Sequence, residues 1–140
     1  MYKLTPTQEL KDASQKVKEQ IAVLNSKSFN INTPKEKLPF NLSANYWQSV
    51  LNYKPLNEIQ KVKIPILILQ GERDYQVTMK DFELWKTNLK NNKKVSFISY
   101  PKLNHIFMSG EKPSDQKEYA IKGIVDEKVI EDIKNFIIQK

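Results

Sequence analysis

Residues 64–77 read IPILILQGERDYQV, and this stretch decides how the rest of the chain is interpreted. The run at 64–69 is almost continuously aliphatic, which is typical of a strand covered on both faces, as in a parallel sheet. Pro65 stands near its start, where a strand tolerates proline. The polar residues that follow, Asp74 among them, predict a turn directly after the strand.

A second strand follows in the chain after a helix. Thr78 can cap this helix, whose apolar residues fall on one face. Apolar and polar residues then alternate at 94–100, which predicts the second strand. The connection is long enough for a crossover, so the two strands should run parallel. With a last helix from about Asp126, the sequence predicts the α/β class and a parallel βαβ unit with flanking helices.

Asp74 and His105 are the candidate site residues. His105 is the only histidine in the chain and lies in PKLNHIF at residues 101–107, just after the second strand. Parallel strands end at the same edge of a sheet, and neighbouring strands lie about 4.8 Å apart. A carboxylate and an imidazole at that edge can activate a nucleophile, the imidazole as base and the carboxylate as its orienting partner. The alternative is a plain loop histidine and an acid that ends a turn; the position of both at strand ends favours the pair.

The composition excludes several classes of function. The 140 residues fit one ordinary domain and carry a net charge of +7, but of 23 basic residues only Arg73 is an arginine, and the lysines are scattered. Nucleic-acid readers concentrate charge on one face and use arginine forks, so we expect no nucleic-acid partner. Cysteine is absent, and one histidine with scattered acids gives no zinc-like spacing, so we expect no metal and no cofactor.

No segment suggests a membrane or secretion. No run approaches the roughly 18 apolar residues of a membrane span, so we expect no membrane partner. The first residues lack the apolar core of a secretory signal, which favours a cytoplasmic location.

Residues 1–63 differ in pattern from the rest. Thr5 is predicted to cap a first helix, with Pro6 at its first position and an end near Asn25. The polar stretch 26–40 is predicted to be a loop, and Ser43 to cap a short helix with Tyr46 and Trp47 as packing anchors. We expect two domains: a helical and linker segment at 1–63, and a βαβα part at 64–140.

Three stretches carry a resemblance to a known family: PILILQGERDYQV, the helix DFELWK, and SYPKLNHIF. They resemble the C-terminal portion of an α/β-hydrolase, and most of all the bacterial esterases of the dienelactone-hydrolase and acyl-peptidase-like branch. YWQSVLNYKPLNEIQKVKIP also resembles the approach to the acid-bearing strand, so the likeness covers about residues 44–140. It implies that Asp74 is the triad acid, that His105 is the triad base, and that residues 1–40 form a cap-like helical segment.

The chain lacks the nucleophile that this resemblance leads us to expect. The family places its serine in a G-x-S-x-G elbow before the acid. The glycines are Gly71, Gly110 and Gly123, and no serine lies between two of them at that spacing. Ser109 follows the histidine and is not expected to act as the nucleophile. The resemblance therefore implies a partial serine hydrolase for carboxylic esters or thioesters that is inactive alone and would act on a small acyl substrate if complemented.

The aliphatic strand also predicts a partner, because it needs sheet neighbours on both edges. This partner is either a second copy of the chain or a complementing hydrolase half. Two other functions stay open: a non-catalytic, self-associating α/β module from a truncated gene, and a lysine-rich nucleic-acid binder.

Overall fold

A computed structural model describes residues 7–138. It divides the chain into two compact units, Met1–Pro55 and Leu56–Lys140. The domain boundary between residues 63 and 64 stays a prediction. Each unit has a small hydrophobic cluster of its own.

The first unit is helical. Thr7 begins helix α1, because its hydroxyl accepts a hydrogen bond from the backbone N–H of Leu10 at 3.3 Å. The predicted cap at Thr5 and Pro6 lies outside the described residues. Ser43 begins α2 in the same way, as predicted, with the N–H of Tyr46 as donor. In chain order the elements are α1 (Gln8–Leu24), two 3-10 helices (Lys35–Lys37 and Pro39–Asn41) and α2 (Ala44–Asn52).

The cluster of the first unit is formed by Leu24, Leu38 and Ala44. Trp47 packs against it and donates from its indole nitrogen to the carbonyl of Pro39 at 3.3 Å, so its predicted packing role is confirmed. Residues 26–40, which were predicted to be a polar loop, contribute a completely buried leucine, Leu38. The stretch has no hydrophobic periodicity that would have predicted this burial.

The second unit contains the sheet. Helix α3 (Pro55–Ile59) begins at the last residue of the first unit, and the elements that follow are β1 (Ile66–Gly71), α4 (Met79–Leu89), β2 (Val95–Tyr100), a 3-10 helix (Gln116–Ala120) and α5 (Glu127–Ile138). β1 and β2 pair in parallel, from Ile66 beside Val95 to Gly71 beside Tyr100. The predicted α/β class and the parallel βαβ unit are confirmed.

The crossover helix α4 packs on β2. At its start, the carboxylate of Asp81 accepts from the backbone N–H and the hydroxyl of Thr78, at 2.9 and 3.0 Å, so the predicted start is confirmed. Phe82 is buried and meets Phe97 of β2 edge-on, with ring centroids 5.8 Å apart. Such aromatic pairs contribute beyond the area they bury.

The cluster of the second unit joins α5 to the sheet. Tyr100, Leu103 and Val129 are buried together. The hydroxyl of Tyr100 also donates to the carboxylate of Asp132 on α5 at 2.9 Å. This contact and the burial of Val129 dock the last helix against the end of β2.

Much of the predicted apolar surface is not covered within the described residues. The aliphatic positions of β1 are half-buried, where cover on both faces was expected. On α5, Val129 is buried, but Ile130 and Ile137 are exposed. Within the described residues the sheet has two strands, so it offers α5 only a narrow face to pack on. Along residues 7–138, no helix has the length and apolar character that crossing a membrane requires.

Candidate active site

Two loops leave the same edge of the sheet: the acid loop, residues 72–78, and the histidine loop, residues 101–109. Two backbone hydrogen bonds of 3.0 Å hold the acid loop against the end of β2 and against the histidine loop. In these bonds Glu72 donates to the carbonyl of Tyr100, and Arg73 donates to the carbonyl of Leu103. The parallel pairing of β1 and β2 thus continues into the loops.

Gly71 allows the close approach of the two loops. A Cβ at this position would collide with the backbone carbonyl oxygens of Leu103 and Asn104. The preceding residue, Gln70, is buried, and its amide donates to the carbonyls of Gly71 at 2.9 Å and Val77 at 2.8 Å. The end of β1 therefore fixes the start and the end of the acid loop.

Asp74 has both carboxylate oxygens engaged. Oδ1 accepts from the backbone N–H groups of Gln76 at 2.8 Å and Val77 at 3.0 Å. Oδ2 lies 2.8 Å from Nδ1 of His105. Burial disfavours the charged form of this carboxyl, since the side chain is only 5% exposed, but these hydrogen bonds outweigh that effect and hold the pKa of Asp74 below its ordinary 3.8. The carboxylate is therefore ionised at neutral pH.

The ionised carboxylate decides the tautomer of His105. A carboxylate can only accept, so Nδ1 of the imidazole carries the hydrogen, and in the neutral ring Nε2 is left with its lone pair. The side chain of His105 is 41% exposed. Among residues 7–138, no hydrogen-bond partner is found for Nε2. The geometry suits a base that takes a proton from a group approaching this exposed ring.

The histidine loop is closed on itself. Leu103 and Ser109 form an isolated antiparallel bridge at its base. Phe107 has a φ of 56°, an uncommon conformation for a bulky residue, and its N–H donates to the carbonyl of Asn104. Its ring meets that of Tyr100 edge-on at 6.0 Å. The packing of Phe107 holds the bend that presents His105.

Asn104, the residue before His105, is almost completely buried, with 1% exposed. Its side-chain oxygen accepts from the N–H groups of Ile106 and Met108, at 3.1 and 3.0 Å. Its amide donates to Glu118 at 2.8 Å, and Glu118 also pairs with Arg73. Hydrogen bonds and an ion pair among Asn104, Glu118 and Arg73 therefore support the two loops of the site.

The predicted proximity of Asp74 and His105 is found, and their catalytic roles stay a prediction. The supporting residues Gly71, Asn104 and Glu118 were missed from the sequence. Arg73 gave one signal, since it is the only arginine in a lysine-rich chain and a guanidinium offers a rigid, multi-donor fork.

Ser109 is exposed at the end of the histidine loop. In the described portion of the chain, no hydroxyl hydrogen-bonds to His105. The same residues include no group of three or more His, Asp or Glu side chains placed to hold a metal ion.

Comparison with known proteins gives one family. The sequence model of the Dienelactone hydrolase family matches residues 34–137. Esterase EstD of Thermotoga maritima is 34% identical over 106 residues, which are 76% of this chain and 26% of that protein. The acylamino-acid-releasing enzyme of Rattus norvegicus is 33% identical over 78 residues, 55% of this chain and 11% of that protein. The chain thus spans a minor part of both relatives, and no solved structure matches it significantly.

Proposed function

The chain belongs to the dienelactone hydrolase family, and from this premise we propose that it supplies the acid and the base of a serine-hydrolase triad. Asp74 is the acid and His105 is the base. The observation that carries the proposal is the 2.8 Å contact between Oδ2 of Asp74 and Nδ1 of His105. Two backbone N–H groups hold the other oxygen of Asp74, so the carboxylate is oriented as well as close.

In this proposal, Nε2 of His105 takes the proton of a serine hydroxyl as the serine oxygen attacks the carbonyl carbon of the substrate. Asp74 stabilises the imidazolium that forms. The imidazolium then gives its proton to the leaving alcohol or thiol, and an acyl-serine remains. Water, activated by the neutral imidazole, hydrolyses the acyl-serine and restores both groups.

The serine itself is proposed to come from a segment outside this sequence. The 140 residues contain no G-x-S-x-G, and in this family's order the nucleophile precedes the acid. The chain alone should therefore be inactive. Because one relative is an esterase, we place the substrate among carboxylic esters or thioesters of small acyl groups.

The same outside segment is the proposed neighbour of the sheet. β1 and β2 form a two-stranded sheet whose aliphatic residues are half-buried, and isolated pairs of strands are marginally stable. A complementing hydrolase half would add strands at these edges and bring the serine to the edge where Asp74 and His105 lie. A second copy of the chain is the alternative neighbour.

A chimera tests the proposal. The full chain replaces the matching segment of Esterase EstD, and serine labelling by a fluorophosphonate and hydrolysis of a p-nitrophenyl ester are measured. We expect labelling and hydrolysis in the chimera, neither in the chain alone, and loss of hydrolysis in the His105→Ala chimera. Stoichiometric labelling of the chain alone, or a folded chimera that is active without His105, would contradict the proposal.

A second candidate is a non-catalytic, self-associating α/β module. The exposed isoleucines of α5, Ile130 and Ile137, favour it, because such a face is commonly buried against a partner. Light scattering would show a defined oligomer of the chain alone. The DNA upstream of the first codon separates the two candidates, since a G-x-S-x-G there supports the enzyme and an unrelated gene supports the module.

A further inference from the structure

Glu118 connects the residues that precede the two proposed triad members. Arg73 directly precedes Asp74, and Asn104 directly precedes His105. One carboxylate oxygen of Glu118 accepts from Nη2 of Arg73, and the other accepts from the amide of Asn104 at 2.8 Å. We call these three residues the brace: Arg73, Asn104 and Glu118.

The Arg73 end of the brace is buried, with its side chain 8% exposed. Nη1 donates to the carbonyl of Lys102 at 3.2 Å, and Nε donates to the carbonyl of Lys112. A Cβ at Gly110 would collide with the guanidinium, so glycine leaves room for it. A buried guanidinium needs a counter-charge, and Glu118 supplies it.

The Asn104 end fixes the backbone of the histidine loop. The side-chain oxygen of Asn104 already accepts from Ile106 and Met108, the N–H groups on the far side of His105. Its amide is left to Glu118. Through the side chain of Asn104, Glu118 therefore restrains the backbone on both sides of His105.

Glu118 is itself held over the acid loop. It lies in the 3-10 helix Gln116–Ala120, whose Tyr119 stacks on Tyr75 with ring centroids 6.1 Å apart. The amide of Gln76 donates to the hydroxyl of Tyr119 at 2.7 Å. Burial disfavours the charge of Glu118, but the hydrogen bonds from Asn104 and Arg73 hold the pKa of this carboxyl below its ordinary 4.5. An ionised Glu118 is what the guanidinium requires.

We propose that Glu118 is a positioning residue that holds the histidine loop against the acid loop, so that Nδ1 of His105 meets Oδ2 of Asp74. The effect of Glu118 on catalysis rests on the proposed function of Asp74 and His105. The residue touches neither Asp74 nor His105, and it acts through their chain neighbours.

A matched pair of variants tests this role. Glu118→Gln removes the charge and sets an amide N–H₂ against donors of Arg73 or Asn104. Glu111→Gln removes an equal charge from an exposed pair with Lys102, 2.7 Å long, in the neighbouring segment. Both variants are made in the full chain labelled with ¹⁵N.

The readout is the Nδ1 proton of His105, which has a unique signal because the chain has one histidine. We expect its exchange with water to rise about tenfold in Glu118→Gln, which corresponds to losing one charge-assisted hydrogen bond. Glu111→Gln should stay within about twofold of the wild type, as exposed ion pairs contribute little. Equal exchange in the two variants, or no Nδ1 proton signal in the wild-type chain, would overturn the inference.

Arg73→Lys provides a second test that does not depend on Glu118→Gln folding. It keeps the positive charge but loses the fork that reaches Lys102, Lys112 and Glu118 together. We expect the Nδ1 proton to exchange faster than in the wild type. If the Nδ1 proton exchanges at the wild-type rate in a folded Arg73→Lys chain, the inference is overturned.

Kinetics in the EstD chimera separate this inference from the proposed function. In an active chimera, Glu118→Gln should lower kcat about tenfold with KM near its original value, and Glu111→Gln should change neither. A folded but inactive chimera would contradict the proposed function, while the exchange of the Nδ1 proton would still decide the role of the brace. An active chimera in which Glu118→Gln behaves like Glu111→Gln would overturn the inference alone.

Discussion

Nδ1 of His105 lies 2.8 Å from Oδ2 of Asp74, although the two residues are 31 positions apart in the chain. The contact exists because β1 and β2 are adjacent and parallel, so that Gly71 and Tyr100 end side by side. Each loop then needs only a few residues to bring its functional side chain to the shared edge. Sites of open α/β sheets collect at this edge for the same reason.

Asp74→Asn should disable catalysis in a chain that still folds. Asparagine keeps the shape, but its amide favours the wrong imidazole tautomer and cannot stabilise the imidazolium. We expect kcat of the EstD chimera to fall by roughly 10³–10⁴-fold, the size of effect known for triad carboxylates. Asp12→Asn is the matched control, because Asp12 accepts from Gln8 on the exposed surface of α1. A fall of less than about tenfold would contradict the role given to Asp74.

Acid should weaken the second unit partly through Asp74. The pKa of Asp74 is lower in the fold than its ordinary 3.8, so the unfolded state binds the proton first as the pH falls. The stabilisation is therefore complete above the ordinary pKa and is lost as the pH drops through the lower, folded value. The difference in unfolding free energy between the wild type and Asp74→Asn should shrink from about pH 5 downward. Urea unfolding at a series of pH values measures it; a difference that grows in acid would contradict this sign.

Local signals predicted the elements that hold the site. The aliphatic run predicted β1, and Thr78 predicted the start of α4, because each depends on residues close in sequence. The crossover length then predicted the parallel pairing, and this pairing predicted that Asp74 and His105 lie close. Both bounds of β1 differ from the predicted run at 64–69, because the strand covers Ile66–Gly71. It begins directly after Pro65, which has no N–H to give.

Long-range contacts could not be predicted in the same way. Glu118 meets Asn104 and Arg73 across 14 and 45 positions, and it lies in a segment without hydrophobic periodicity. Leu38 is buried although it lies in a stretch without hydrophobic periodicity, because its cover comes from helices before and after it. The burial of β1 likewise could not be predicted from its own residues, because it depends on elements that pack beside the two-stranded sheet.

Gly71→Ala should loosen the contact between the two loops. The added methyl group would collide with the backbone carbonyls of Leu103 and Asn104, which cannot move aside like a flexible side chain. We expect a loss of about 1–3 kcal/mol in unfolding free energy, as for other overpacked sites. Hydrogen exchange of the β1 and β2 amides reports on this unit directly. The control is Gly123→Ala, where the added methyl group meets the side chain of Met108, which can move. Equal protection in both variants would contradict the need for glycine at 71.

Tyr100→Phe should weaken the attachment of α5 to the sheet. The hydroxyl of Tyr100 donates to Asp132 at 2.9 Å, and the same carboxylate accepts from Lys128 at 2.7 Å. Phenylalanine keeps the ring that packs on Phe107 and removes this hydrogen bond alone. We expect a loss of about 0.5–1.5 kcal/mol in urea unfolding, with an unchanged slope. Tyr53→Phe is the matched control, because Tyr53 is 58% exposed. If the two variants unfold at the same urea concentration as the wild type, the hydrogen bond to Asp132 does not contribute to docking α5.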